Sequence, residues 1–243
     1  MNNEQKFWND YGIIYKYIEE SSVYRRLQDD ILDGISISKD SRILDVGCGA
    51  GYFIEKIINN SLFESIEAID LSQNMLSVAK ERIKLKYPDS INKINFRQYD
   101  LSNGLDYEES SFDIVFSNLV ITYIEEVIGK KGGEALTEIL KQVHRSLIDG
   151  GIFVWSTPIK DVSFLKVFLG SWRDLIDLRH AYRLYYGPKI LRYGREIEKR
   201  GKQNRYNFFD AEQILEISNQ VGFSDVQIKK SFAGQAWVVK AKK

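Results

Sequence analysis

The chain has 243 residues, 44% hydrophobic and 28% charged, which is enough length for one sizeable core and far from a disordered composition. Its 34 Lys and Arg balance 34 Asp and Glu, so no whole-molecule field draws it to nucleic acid or to an anionic membrane. One cysteine and two histidines exclude an internal disulfide and the usual metal-ligand spacings, and no apolar run approaches the roughly 18 residues of a spanning helix, so a soluble, cytoplasmic, metal-free protein is expected.

Residues 4–34 place Phe7, Trp8, Tyr11, Ile14, Tyr15, Ile18, Val23, Tyr24, Leu27, Ile31 and Leu32 largely at three- and four-residue spacing, the pattern of two amphipathic helices broken near Ser21-Ser22. From Arg42 the pattern becomes short apolar runs alternating with helical stretches. The runs are Ile43 to Val46, Ile66 to Ile69, Ile94 to Tyr99, Phe112 to Phe116 and Ile152 to Trp155. Helices are expected over Tyr52 to Asn59, Gln73 to Lys86 with Ser72 as N-cap, and Gly133 to Leu147 with Gly150-Gly151 as the stop. Such alternation predicts an α/β chain with a parallel sheet covered by helices. A last helix from Ala211 to Val221 ends at Gly222. Val226 to Lys229 and Ala236 to Ala241 then read as an antiparallel pair turning near Ala233-Gly234.

Residues 159–207 interrupt this scheme. They hold twelve Lys and Arg against five Asp and Glu, a local excess of seven positive charges, together with eight aromatic side chains. The stretch is expected to be a helical lid inserted into the core. Three segments follow: an N-terminal helical cap over 1–38, a core over 39–158 and 208–243, and the lid between the two core pieces.

The chemistry is expected at strand ends. Ligands of an open parallel sheet bind beyond the carboxyl ends of its strands, and Asp45, Gly47, Cys48, Gly49 and Gly51 fall where the first strand meets the first helix. The glycines allow a tight turn and a close approach of backbone to ligand. A carboxylate at Asp45 would repel a pyrophosphate but suits a ligand with an ammonium and a sulfonium. The spacing G-x-G-x-G followed by Tyr52 also fails the dinucleotide fingerprint. Asp70 ends the second strand about twenty residues on, where an acid can accept two ribose hydroxyls, although it precedes a helix and an N-cap role competes. Asp100 follows the third strand and can accept from an adenine amino group while Leu101 packs on the ring.

The combination of Asp45 to Gly51, Asp70 and Asp100-Leu101, with Phe112 to Asn118 and Leu147 to Gly151, resembles the class I S-adenosylmethionine-dependent methyltransferases over residues 40–157 and 208–243. The resemblance implies a Rossmann-like seven-stranded sheet of order 3-2-1-4-5-7-6 with strand 7 antiparallel. It also implies S-adenosylmethionine as cofactor, contacted by the glycine turn, Asp70, Asp100 and Leu101, with Leu71, Met75, Asn118 and Tyr15 as further candidates. Asn118-Leu119-Val120-Ile121 departs from the Asn-Pro-Pro-Tyr element with which some members recognise amino substrates.

Because the sulfonium methyl is already activated, the protein has mainly to align an O, N or C nucleophile and exclude water. His180 and Tyr123 are the candidate catalytic groups, and Tyr11, Arg179, Tyr182 and Arg183 the candidate substrate contacts. A small anionic or aromatic metabolite is the expected acceptor. RNA or protein methylation, or a non-catalytic cofactor-binding subunit, are the alternatives, nucleic acid being disfavoured by the neutral charge.

Overall fold

The computed structural model describes residues 3–171 and 182–243. Two helices open the chain, α1 (Asn3–Glu19) and α2 (Ser22–Leu32), and the break between them is made by Ser21, whose hydroxyl accepts from the Tyr24 amide. Strands β1 (Arg42–Val46), β2 (Ser65–Asp70), β3 (Ile94–Gln98) and β4 (Phe112–Asn118) follow, with α3 (Tyr52–Asn60) and α4 (Gln73–Lys86) between the first three. A two-residue ladder, β5 (Glu126–Val127) and β6 (Lys130–Lys131), precedes α5 (Gly132–Ser146) and the long β7 (Leu147–Pro158). After α6 (Phe164–Gly170) and α7 (Tyr182–Lys202) come α8 (Ala211–Val221), β8 (Ser224–Ser231) and β9 (Ala236–Lys242).

One seven-stranded sheet runs β3-β2-β1-β4-β7-β9-β8, with β9 antiparallel to both of its neighbours. Leaving aside the short ladder, this is the expected order 3-2-1-4-5-7-6 with a reversed last strand. The sheet is buried on both faces, which is why its central strands are near-continuous apolar runs. Ile43, Ile66, Ile114, Phe116 and Val154 pack with α2, α3 and α4 on one face; Leu44, Val46, Val115, Phe153 and Trp155 pack with α5 and α8 on the other. A third apolar cluster joins Tyr11 of α1 to Ile197 of α7, with Tyr123, Val162, Tyr206 and Phe208 between them, so both ends of the core's long excursions meet over the carboxyl edge of the sheet.

Two features depart most from expectation. The glycines Gly150-Gly151 lie inside β7 rather than stopping α5, which ends four residues earlier because Leu147 turns to an extended backbone and buries its side chain opposite Phe112. The strand then bulges against β4 before resuming register at Ile114 and Ile152. The β5–β6 ladder had no sequence signal, since two-residue strands are shorter than any alternation can reveal.

Candidate active site

The turn after β1 is fixed by its own backbone. The amides of Gly47 and Cys48 both donate to the Ile69 carbonyl at the end of β2, at 2.8 and 3.0 Å. Gly47 has φ +78°, and a Cβ there would lie 2.2 Å from Val120 Cγ2, so both conformation and space require glycine. Gly51, at φ +79°, faces away from the cleft and lets α3 close on Ala79 of α4, whose Cβ would be 2.9 Å from an added methyl. Thus one glycine makes room on the ligand side and another makes room for helix packing.

Asp70 stitches the turn to the second strand end. One of its carboxylate oxygens accepts from the Gly49 amide at 2.9 Å and the other from the Ser72 amide at 2.8 Å. Ser72, not Asp70, caps α4 through the Met75 amide, and its hydroxyl also donates to Asn9 of α1 at 2.5 Å. Burial pushes the Asp70 carboxyl up, while the two amide hydrogen bonds act in the opposite direction. Asp100 folds back on the Ser102 amide at 3.0 Å and starts the short 3-10 turn that presents Leu101.

A cavity of about 340 Å³ opens beside these strand ends. Gly47, Gly49, Asp70, Leu71, Met75, Asp100 and Leu101 form its floor, and Tyr11, Tyr15 and Tyr123 its roof. The roof belongs to a continuous aromatic cluster: Trp8 lies 5.3 Å from Tyr123 and 5.6 Å from Tyr11, and Tyr11 lies 5.3 Å from Tyr15, centroid to centroid. Burial raises the phenols of Tyr11, Tyr15 and Tyr123 well above their ordinary value, so all three are protonated at neutral pH. The side chains Phe164, Val167 and Phe168 from α6, and Ile190 and Ile197 from α7, close the far end.

A second void of about 10 Å³ lies behind the turn, and Tyr15, Tyr24, Gly47 and Gly49 border both spaces. Asp45, Cys48 and Asn118 border this smaller void, not the main cavity. Asn118 joins a hydrogen-bonded chain: Ser156 donates to its Oδ1 at 2.7 Å, its amide donates to the Tyr24 hydroxyl at 2.9 Å, and that hydroxyl is paired with Tyr15. Asp45 is 1% exposed and one of its oxygens has no hydrogen-bond partner; burial, with Asp70 nearby, pushes it up to about 7.

Sequence reasoning missed Glu19, the last residue of α1, which is 4% exposed in the same void with an unpartnered oxygen. It also missed Tyr24 and Val120. Arg179 and His180 lie outside the described residues, and Tyr182 and Arg183 open α7 with side chains outside the description. Among the described basic residues of the insertion, Arg200 is used internally: it donates to the Tyr206 hydroxyl at 2.7 Å, pairs with Glu196 and stacks 4.0 Å over Phe7. Arg205 pairs with Glu125. His144 packs edge-on against Phe223, far from the cleft, as a structural residue. Among the described residues no group of three or more His, Cys, Asp and Glu could hold a metal, and no helix is long and apolar enough to cross a membrane.

The site fits S-adenosylmethionine. A cradle without Cβ atoms, an acid at each of two further strand ends and buried carboxylate oxygens without partners match a ligand with two ribose hydroxyls, an adenine and net positive charge.

Residues 37–213 match a family described as a methyltransferase domain. The chain is 30% identical over 152 residues to malonyl-[acyl-carrier protein] O-methyltransferase 2 of Ilyobacter polytropus, a match covering 61% of this chain and 51% of that protein. It is 25% identical over 223 residues to demethylmenaquinone methyltransferase of Staphylococcus haemolyticus, covering 89% of this chain and 80% of that one. It spans about half the length of the first of these relatives and of a Leptospira interrogans demethylmenaquinone methyltransferase. Phosphoethanolamine N-methyltransferase 2 of Haemonchus contortus, solved with phosphomonomethylethanolamine and S-adenosylhomocysteine, shares the fold at TM-score 0.62 and 20% identity, over 94% of this chain and 47% of that one. By its glycine turn, its strand order and its family match, the chain belongs to the class I S-adenosylmethionine-dependent methyltransferases.

Proposed function

We propose that this chain moves the methyl group of S-adenosylmethionine to an O, N or C atom of a small, uncharged aromatic or apolar acceptor held under a helical cap. The cap comprises residues 1–38 and 159–207, and the core 39–158 and 208–243. The observation that carries the acceptor class is the wall of the cavity: Trp8, Tyr11, Tyr123, Phe164, Val167 and Ile197 face it, and among the described residues no Lys, Arg or His does. An anionic group buried there would lose its hydration with no Lys, Arg or His of the described residues to replace it. The name of the Staphylococcus haemolyticus relative, a demethylmenaquinone methyltransferase, supports an acceptor of this class.

In this reading Asp70 accepts the ribose hydroxyls through the lone pairs its two amide bonds leave free. Asp100 accepts from the adenine amino group, with Leu71, Met75 and Leu101 packed on the ring. Gly47, Cys48 and Gly49 receive the amino-acid end, Gly51 holds the turn's shape from behind, and Asp45 and Asn118 line that end of the site. Bound S-adenosylmethionine supplies an activated methyl group. The chain's part is to orient the acceptor in line behind the methyl and to exclude water. Tyr15 presents a ring to the cationic centre, a favourable contact for a sulfonium. The protonated phenols of Tyr11 and Tyr123 serve as hydrogen-bond donors and not as bases, so the acceptor must bring an available electron pair of its own.

The test is release of S-adenosylhomocysteine from an acceptor panel: a reduced naphthoquinone, a malonyl thioester, a primary amine and a short RNA. Turnover with the naphthoquinol alone is the expected result. Turnover confined to the malonyl thioester would sink the acceptor class while leaving the cofactor reading intact, and RNA-only turnover would replace it.

A further inference from the structure

The small void behind the glycine turn has the size of a single water molecule or a single ammonium group. Two carboxylates face it from different elements, Asp45 from β1 and Glu19 from the end of α1, and each carries a buried oxygen with no hydrogen-bond partner. Burial raises both above their ordinary range, and the neighbouring carboxylates add to it, Asp70 and Asp45 acting on Glu19 and Asp70 on Asp45. The nearest cation acting on Glu19 is Arg82, but that guanidinium is already committed: it donates to the Ala50 carbonyl at 3.0 Å, pairs with Glu55 at 3.3 Å and lies 3.5 Å over the Tyr52 ring. Gly47, Gly49, Tyr15 and Tyr24 border both this void and the main cavity, so the two spaces adjoin across the glycine turn.

We infer that Glu19 is the second carboxylate of an ammonium subsite, and that with Asp45 it receives the α-ammonium group of the methyl donor. The inference rests on the cofactor reading above and goes beyond the glycine turn, because Glu19 comes from the N-terminal cap. An ammonium offers three donors on one small cation, enough to satisfy both orphaned oxygens at once. The subsite therefore makes one end of α1 part of the donor site, and a donor lacking its amino group would leave two buried acids facing each other.

Calorimetric titration of the full chain tests this with three ligands: S-adenosylhomocysteine, its analogue lacking the amino group, and methylthioadenosine, which lacks the whole amino-acid end. Glu19→Gln is expected to weaken S-adenosylhomocysteine about tenfold or more, the loss of one charge-assisted contact, while leaving methylthioadenosine and the deaminated analogue unchanged. The same variant is expected to raise the melting temperature of the ligand-free protein, since it replaces a buried, desolvated acid with a neutral side chain; a purely structural Glu19 would lower it. Equal weakening of all three ligands, or unchanged binding of S-adenosylhomocysteine, overturns the inference, the latter leaving the void as a water site. Wild-type protein that binds none of the three overturns the cofactor reading together with it.

Discussion

Asp45 makes donor binding depend on pH in a definite direction. With burial holding it up to about 7, it is largely neutral at pH 6 and ionised at pH 8. A cationic ligand prefers the ionised form, so affinity for S-adenosylhomocysteine should fall as pH drops below about 7, and Asp45→Asn should lessen that dependence in a titration series, the raised Glu19 supplying the rest. Asp70 differs because its oxygens already hold two amides. Replacing it with Ala would release both the Gly49 and Ser72 amides as well as the ribose contact, whereas Asp70→Asn keeps one acceptor oxygen and so one of the two amide bonds. It should weaken S-adenosylhomocysteine about ten- to a hundredfold with an unchanged circular dichroism spectrum. Tyr123→Phe should lower kcat by less than about tenfold and leave its pH profile alone, because a phenol raised by burial is no base at neutral pH. The acids at 45, 70 and 100 were legible from their places at strand ends. Glu19 was not: an acid at the end of an amphipathic helix reads as solvated until the helix is known to cross the glycine turn, and only tertiary contact reveals that.

At the level of elements, the contact between the β1 turn and the loop after β4 is the tightest constraint on the site. Gly47→Ala combines a positive φ with a methyl driven into Val120, and should cost about 2–4 kcal/mol in denaturant unfolding. Adding Val120→Ala should recover the steric part and leave the conformational part, a coupling that a double-mutant cycle measures. Sequence reading gave α4 and α8 their full extent because each starts at a side-chain N-cap, Ser72 and Asp210. It failed at Gly150-Gly151, where a residue pair that usually ends helices instead carries a strand across a bulge. The basic insertion suggested an anion-binding lid through Arg179 and Arg183, whose side chains lie outside the description, while its described Arg200 and Arg205 pair with Glu196 and Glu125.

At the level of the whole molecule, the buried acids tie global stability to ligand and pH. Asp45 is raised in the folded state, so its contribution to stability is present in full below its unfolded value near 4 and is lost as pH rises through about 7. The ligand-free protein should therefore lose melting temperature across that window from this group, and S-adenosylhomocysteine should restore it. At a hundredfold excess over Kd the ligand adds about 2.7 kcal/mol, a shift of roughly 5–10 °C for a domain of this size. Scanning calorimetry at pH 5 and 8, with and without ligand, checks both signs.

The aromatic roof has an optical consequence. Trp8 touches Phe7, Tyr11, Tyr123 and Tyr206, whereas Trp155 is sealed in the sheet core. Indole emission responds to local polarity and to quenching neighbours, so occupancy of the cleft should be readable as a change in native fluorescence, reduced in Trp8→Phe. The protein thus carries its own dye-free screen, in which a compound entering beneath the cap announces itself without need of turnover.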